Sequence, residues 1–257
     1  TRDELDAVIT AAEAGDPAAA DDLADRFHAD LDFGTAGLRG RLGAGPNRMN
    51  LAVVTRAANG IVTWLRSSGG PDVARRGVAV CFDARHRSQD FAEASAAIIA
   101  AAGIRAHLLP GPLPTPVLAF AVDHLGAAAG VMVTASHNPP QDNGYKVYDA
   151  SARQIVPPVD EVIAAAIDAT PRACDVPYAH ADDPDARGGV RHRAQAAAEG
   201  RQAGDGLDDP PGDAGLHHPD AQLLVQPRRP DPARGPRGRA ADHHADRARG
   251  RRGDDLD

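Results

Sequence analysis

Two runs with no polar interruption, Gly77-Val-Ala-Val-Cys-Phe82 and Gly130-Val-Met-Val133, restrict the fold of this chain more than any other feature. A strand with one face in water alternates polar and apolar residues, whereas a strand lacking polar alternates must be covered on both faces. Ile104 to Leu109 is a third strand candidate. Between these strands lie helical patterns: one runs through Phe91, Ile98 and Ile99 behind a capping Ser88, and another is capped by Thr115 with Pro116 in its first turn. Strand and helix alternating in this way predict right-handed crossovers, and hence an α/β three-layer sandwich with a mainly parallel sheet.

Flanking segments extend the pattern. Asp3 to Ala14 and Pro17 to His28 predict two short helices, and Asn50 predicts the N-cap of a longer one with Leu51, Val54, Ile61 and Leu65 inward and Gly69-Gly70 at its end. Gly144 to Tyr148 is expected as an edge strand, and Pro157 to Ala169 as a closing helix with Val159, Val162, Ile163 and Ala166 inward. This assigns residues 1–175 to one α/β domain. After about Tyr178 the large apolar residues reduce to Val190, Leu207, Leu216, Leu223, Leu224, Val225 and Leu256. So little apolar area cannot offset an ordering cost of roughly 1–2 kcal/mol per residue, so residues 176–257 are expected to be a disordered tail. Their Arg, Pro, Gly, Asp and His enrichment resembles out-of-frame translation of a GC-rich gene, with a genuine low-complexity tail as the competing explanation.

Charge and cysteine content narrow the function classes. A formal net charge of −8 does not suggest nucleic acid as a partner, and no run is long enough to cross a bilayer. Two cysteines, Cys81 and Cys174, give no disulfide framework and fit a reducing cytoplasm. Cys81 lies in an apolar strand and reads as a core residue.

The second apolar run leads into Thr134-Ala-Ser-His-Asn-Pro-Pro-Gln-Asp-Asn-Gly-Tyr-Lys146, which contains the chain's one lysine. Ser136 then sits at the C-terminal edge of a buried strand, where α/β sheets place ligands. A serine is a poor phosphate carrier unless its neighbours neutralise charge, since a phosphoserine brings about −1.5 to −2 charge. Lys146 and Arg39 supply cations, and the loop N–H groups can form an anion nest. Asn138, Asn143 and Gly144 read as turn-formers, Gly144 through a positive φ. Asp83 and Arg85 follow the first apolar strand and read as loop-bracing at least as readily as functional.

This stretch resembles the active-site serine loop of the α-D-phosphohexomutase superfamily, which holds phosphoglucomutases and phosphomannomutases. Phe33-Gly-Thr-Ala-Gly-Leu-Arg-Gly40 is similar to the N-terminal substrate loop of the branch containing phosphoglucomutases and phosphopentomutases. The resemblance covers about residues 1–170. It implies an intramolecular phosphotransferase that interconverts sugar 1- and 6-phosphates through a phosphoserine at Ser136. It also implies Lys146 as general base, Arg39 beside it, and His137 shaping the loop or bonding its phosphate. Thr35, Gly37, Arg39 and Asn138 are implied to contact the sugar phosphate.

The resemblance further implies Mg²⁺, bound partly through the phosphate on Ser136 and otherwise by three aspartates of a second-domain loop. Asp183-Pro-Asp185-Ala-Arg187 imitates that loop but lacks the third aspartate and comes too soon after Ser136. A truncated or frame-shifted member, impaired on its own, is therefore the expectation. The alternatives are a phosphopentomutase of the same superfamily and a binding module that retains only the fold. A serine hydrolase using Ser136 and His137 lacks the Gly-x-Ser-x-Gly elbow.

Overall fold

The computed structural model describes residues 2–170 and 172–179 together with the backbone of 190–192. Helices α1 (Arg2–Glu13) and α2 (Pro17–Phe27) come first, then strand β1 (Leu38–Arg41), helix α3 (Leu51–Ser68) and a single turn α4 (Val73–Arg76). There follow β2 (Val78–Phe82), α5 (Ser88–Ala101), β3 (Ala106–Leu108), α6 (Thr115–Leu125), β4 (Ala129–Val133), β5 (Asp142–Asp149), α7 (Val159–Asp168) and β6 (Val190–His192).

The strands form one sheet in the order β1-β5-β4-β2-β3-β6. β4, β2, β3 and β6 pair in parallel, whereas β5 is antiparallel to both β4 and β1. The sheet is therefore mixed, with β5 the one strand reversed among those described. All five residues of β2 and all five of β4 are buried, as their unbroken apolar runs require. Val78, Val80, Phe82, Val131 and Val133 meet α3, α5 and α7 on one face. Ala79, Cys81 and Met132 lie under Leu118, Ala121 and Val122 of α6 on the other. Helices thus cover both faces of the sheet, giving the expected three layers.

Local details depart from the sequence reading in instructive ways. Asn50 caps α3, its Oδ1 accepting from Val53 N at 3.1 Å, but Leu51 stays 42% exposed because the inward stripe is Val54, Ala57, Ala58, Ile61 and Leu65. Ser88 is not a cap: Arg87 holds that position with φ 67°, and the buried Ser88 hydroxyl donates to Asp83 instead. Thr115 is the first residue of α6, behind Pro114, with no side-chain capping bond. In α7 the inward residues are Asp160, Ile163 and Ile167, while Val162 is 46% exposed.

The largest correction concerns β5, which lies inside the sheet because β1 pairs along its outer side. A Leu-Arg-Gly-Arg sequence carries almost no strand propensity, so β1 exists through its pairing with β5. Residues 190–192, within the expected tail, add β6 beside β3. Residues 176–179 of that expectation are placed too: Val176 is buried with Ala58 and Ile98, and Ala179 N donates to the Ala97 carbonyl at 3.2 Å. Its remaining residues, and the Asp183–Arg187 segment, lie outside the described residues.

The α1–α2 hairpin docks by charge. α1 has no buried residue, and the one buried residue of α2 is Arg26. Arg26 donates to Glu4, to Asp22 and to the Ala44 carbonyl at 2.7, 2.8 and 3.0 Å. The buried Arg48 pairs with Asp22 and Asp25 at 2.9 and 2.7 Å. Two buried guanidiniums thereby fasten α1 and α2 to the 43–48 turn, each with its charge matched. Among the described residues no helix is long and apolar enough to cross a membrane.

Candidate active site

The site forms where β4 ends. Thr134 N continues the ladder to the Gly144 carbonyl at 3.0 Å, and Thr134 Oγ1 then accepts from Ser136 N at 2.8 Å. The chain turns here with Ser136 exposed and at φ 56°, a left-handed conformation that disfavours an L-residue by about 1–2 kcal/mol. Strained backbone of this kind is a recurrent feature of functional turns.

β5 supplies the partner. Lys146 stands opposite Met132 in the antiparallel register, and its Nζ donates to Ser136 Oγ at 2.5 Å. Partial burial lowers the Lys146 pKa, the nearby Arg39 charge lowers it further, and Asp83 opposes the shift. Arg39 lies on β1 opposite Gly144, and its Nη1 donates to Asn138 Oδ1 at 3.2 Å. Asn138 in turn donates to Asp142 Oδ2 at 3.0 Å. Ser136, Lys146, Arg39 and Asn138 therefore converge from two strands and the turn. His137 lies exposed on the same turn.

The glycine-rich loop 33–37 is held by its own contacts. The Thr35 hydroxyl donates to Asp160 Oδ2 at 2.7 Å, and the Thr35 carbonyl accepts from Gln154 Nε2 at 2.8 Å, so this loop is tied to α7 and the 154 turn. Gly37 has φ 75°, and a Cβ there would collide with the Tyr145 carbonyl and stand 3.1 Å from Lys146 Cα. Its requirement is close packing on β5 beside Lys146. Asn143 and Gly144 are strand residues, not turn-formers. Gly144 has no positive φ, and a Cβ on it would meet the Thr134 and Leu38 carbonyl oxygens at 2.7 and 3.0 Å. An open cleft of about 580 Å³, lined by Asp30, Asp32, Thr35, Gly37, Arg39 and Asn47, adjoins the Ser136 turn at Arg39.

Two contributors escaped the sequence reading. Asp160 and Gln154 anchor Thr35, and nothing in their local sequence announces it. Arg85, expected to brace a loop at least as readily as to be functional, donates to the Ser136 and Asn138 carbonyls and so braces the turn. Cys81 is fully buried, and burial pushes its thiol up to about 12, as expected of a core residue.

This geometry can hold an anion: an exposed hydroxyl touches an amine made less basic, with a guanidinium alongside. Known proteins are similar in sequence and fold over part of the chain. The chain is 44% identical over 151 residues to the phosphoribomutase of Saccharomyces cerevisiae, covering 58% of this chain and 24% of that protein. It is 40% identical over 129 residues to the phosphoglucomutase of Staphylococcus haemolyticus, covering 50% and 23%. A solved structure from Thermus thermophilus, described as a phosphomannomutase, superposes with a TM-score of 0.52 at 33% identity, covering 68% of this chain and 36% of that one. The chain thus spans about a quarter of the length of the curated relatives it matches. Residues 30–173 match the model for phosphoglucomutase/phosphomannomutase, alpha/beta/alpha domain I, and the chain therefore belongs to the phosphoglucomutase/phosphomannomutase family.

Proposed function

We propose that this domain carries the phosphoryl-accepting serine of a sugar-phosphate mutase, an intramolecular phosphotransferase that works through phosphoserine at position 136. The observation that carries the reading is the Lys146 Nζ to Ser136 Oγ contact of 2.5 Å, made by an amine whose pKa is lowered. A lysine must be neutral to take a proton, and lowering its pKa raises the neutral fraction near working pH.

In the forward step a sugar hydroxyl attacks phosphorus. The bond from phosphorus to Ser136 Oγ breaks, the bond to the sugar oxygen forms, and the hydroxyl proton passes to Lys146 Nζ and on to the departing serine oxygen. The reverse step runs the same proton path, with Ser136 Oγ attacking the other phosphoryl group of the sugar bisphosphate. Arg39 sits where it can offset charge on the transferring group, and Asn138 holds Arg39 in that place. The open cleft beside Arg39 is the proposed seat of the sugar phosphate, with Gly37 forming part of its wall and Thr35 contributing backbone more than hydroxyl. His137 is assigned to the phosphate's rim as a hydrogen-bond donor.

Magnesium fits the described residues only in part. The phosphate on Ser136 would be one ligand, but among the described residues no three His, Cys, Asp or Glu side chains stand close enough to hold an ion. Carboxylate ligands would have to come from elsewhere, so no step is routed through the metal. A pentose phosphate in place of a hexose phosphate is the second reading, favoured by the phosphoribomutase relative. The buried Cys81 and exposed Cys174, both unpaired, suit a reducing cytoplasm.

The test is transfer of label from a radiolabelled hexose 1,6-bisphosphate, with the pentose bisphosphate in parallel. The chain is expected to take up one phosphoryl group, and Ser136→Ala to take up none. Equal labelling of that variant would remove Ser136 from the reaction.

A further inference from the structure

We infer that Arg85 is the positioning residue of the phosphoryl-transfer turn: one guanidinium grips four carbonyls of the turn and thereby sets where Ser136 Oγ stands. Its Nη2 donates to the Ser136 and Asn138 carbonyls at 2.9 and 2.7 Å, and its Nη1 to those of Pro139 and Asp142 at 2.8 and 3.2 Å. These acceptors span the whole connection from β4 to β5. Within the connection the backbone closes on itself through Asn138 N to Ala135 O at 3.1 Å and Asp142 N to Pro139 O at 3.0 Å. Those bonds leave open which way the Ser136 carbonyl points. Arg85 settles it, and a fixed carbonyl keeps Ser136 in its left-handed conformation.

The grip has its own foundation in the core. Asp83 Oδ1 accepts from Arg85 N at 3.0 Å and from the buried Ser88 hydroxyl at 2.7 Å, and Asp83 Oδ2 lies 3.4 Å from Arg85 Nε. The fully buried Asn143 of β5 donates to Ser88 Oγ and to the His86 carbonyl, each at 3.0 Å. Lys146 stands three residues further along the same strand. One polar network therefore fixes both partners, the turn that carries Ser136 and the strand that carries Lys146. A planar fork with five donors can do this; an ammonium, with three donors on one atom, cannot reach four carbonyls spread along a turn.

The inference rests on the phosphoryl-transfer reading for its kinetic arm, and a structural arm stands apart from it. The four carbonyls lie at or near the surface, where water can replace the lost donors, so Arg85→Ala is expected to melt within a few degrees of the parent. The phosphoryl uptake rate of Arg85→Ala should fall roughly 100-fold, the scale of a 1 Å misplacement, with its dependence on donor concentration unchanged. Arg85→Lys keeps the charge and should be nearly as slow, while added guanidinium should speed Arg85→Ala and leave Arg85→Lys where it is. In parallel, NMR relaxation should report the backbone amides of Ser136, His137, Asn138, Gln141 and Asp142 as ordered in the parent and mobile in both variants.

Parent-like uptake by Arg85→Lys would reduce the residue to a charge and overturn the proposal. So would an ordered turn in Arg85→Ala, or a mobile turn with parental uptake. If the parent chain takes up no label, the phosphotransferase reading fails, and the relaxation result alone then upholds or rejects the grip.

Discussion

Lys146 is the one lysine in 257 residues, so its titration can be followed without assignment through isotope-labelled lysine. Its signal is expected to titrate below the ordinary value of 10.5, because burial and Arg39 both disfavour the ammonium. Arg39→Gln should move the midpoint up but leave it below the ordinary value, since burial is the larger cause. A parent midpoint at or above 10.5 would take the proton-acceptor role away from this lysine. Phosphoryl uptake should rise with pH through the same midpoint, as neutral amine accumulates. The stability effect has the same sign: between the lowered folded pKa and the unfolded value, the unfolded chain holds more protons, so stability rises with pH across that window. Lys146→Met should therefore melt higher than the parent below the window while losing uptake.

At the scale of elements, the inner face of β5 is closed by backbone on both sides at Gly144, with the Thr134 and Leu38 carbonyls each within 3.0 Å of any added Cβ. Neither oxygen can swing away as a side-chain tip would. Gly144→Ala should lower unfolding free energy by about 2 kcal/mol, within the range of overpacked sites, and should slow uptake by shifting Lys146. Gly34→Ala is the control: its added methyl meets nothing within 4 Å, so its stability should stay within about 0.5 kcal/mol of the parent. Urea unfolding of the two variants decides the matter, and equal midpoints would mean that β1 and β4 can part without cost. The apolar runs of β2 and β4 were legible because burial on two faces leaves no place for a polar residue. β1 was illegible because its residues have no strand preference and pair only once β5 is in place.

At the scale of the molecule, acid should loosen the attachment of α1 and α2. Burial alone would raise the Asp22 pKa, but hydrogen bonds and charge from Arg26 and Arg48 outweigh it and hold the carboxyl below 3.8. A depressed carboxyl contributes stability that is present above its unfolded pKa and lost as pH falls through the folded one. Melting temperature should accordingly fall steeply below about pH 4, and less steeply in Asp22→Asn, which lacks the titrating group. At neutral pH the same variant should lose about 2 kcal/mol, less than a fully buried pair because Asp22 is 26% exposed. Matching acid profiles for parent and variant would show that other groups govern acid unfolding.

What the sequence determined by itself was whatever short-range physics fixes: buried strands from unbroken apolar runs, the Asn50 cap, the layered α/β class, and a serine and a lysine close together in the chain. Tertiary structure decided everything that depended on which strand lies beside which. It moved β5 from the edge to the interior and turned Thr35 toward Asp160. It made buried anchors of Arg26 and Arg48, residue types that composition alone assigns to the surface. It also gave the loop-bracing Arg85 its four carbonyl partners on the Ser136 turn. The physical reason is the same in each case: a polar side chain declares its chemistry in the sequence, but its partner is fixed only when the backbone has brought a distant acceptor within hydrogen-bond reach.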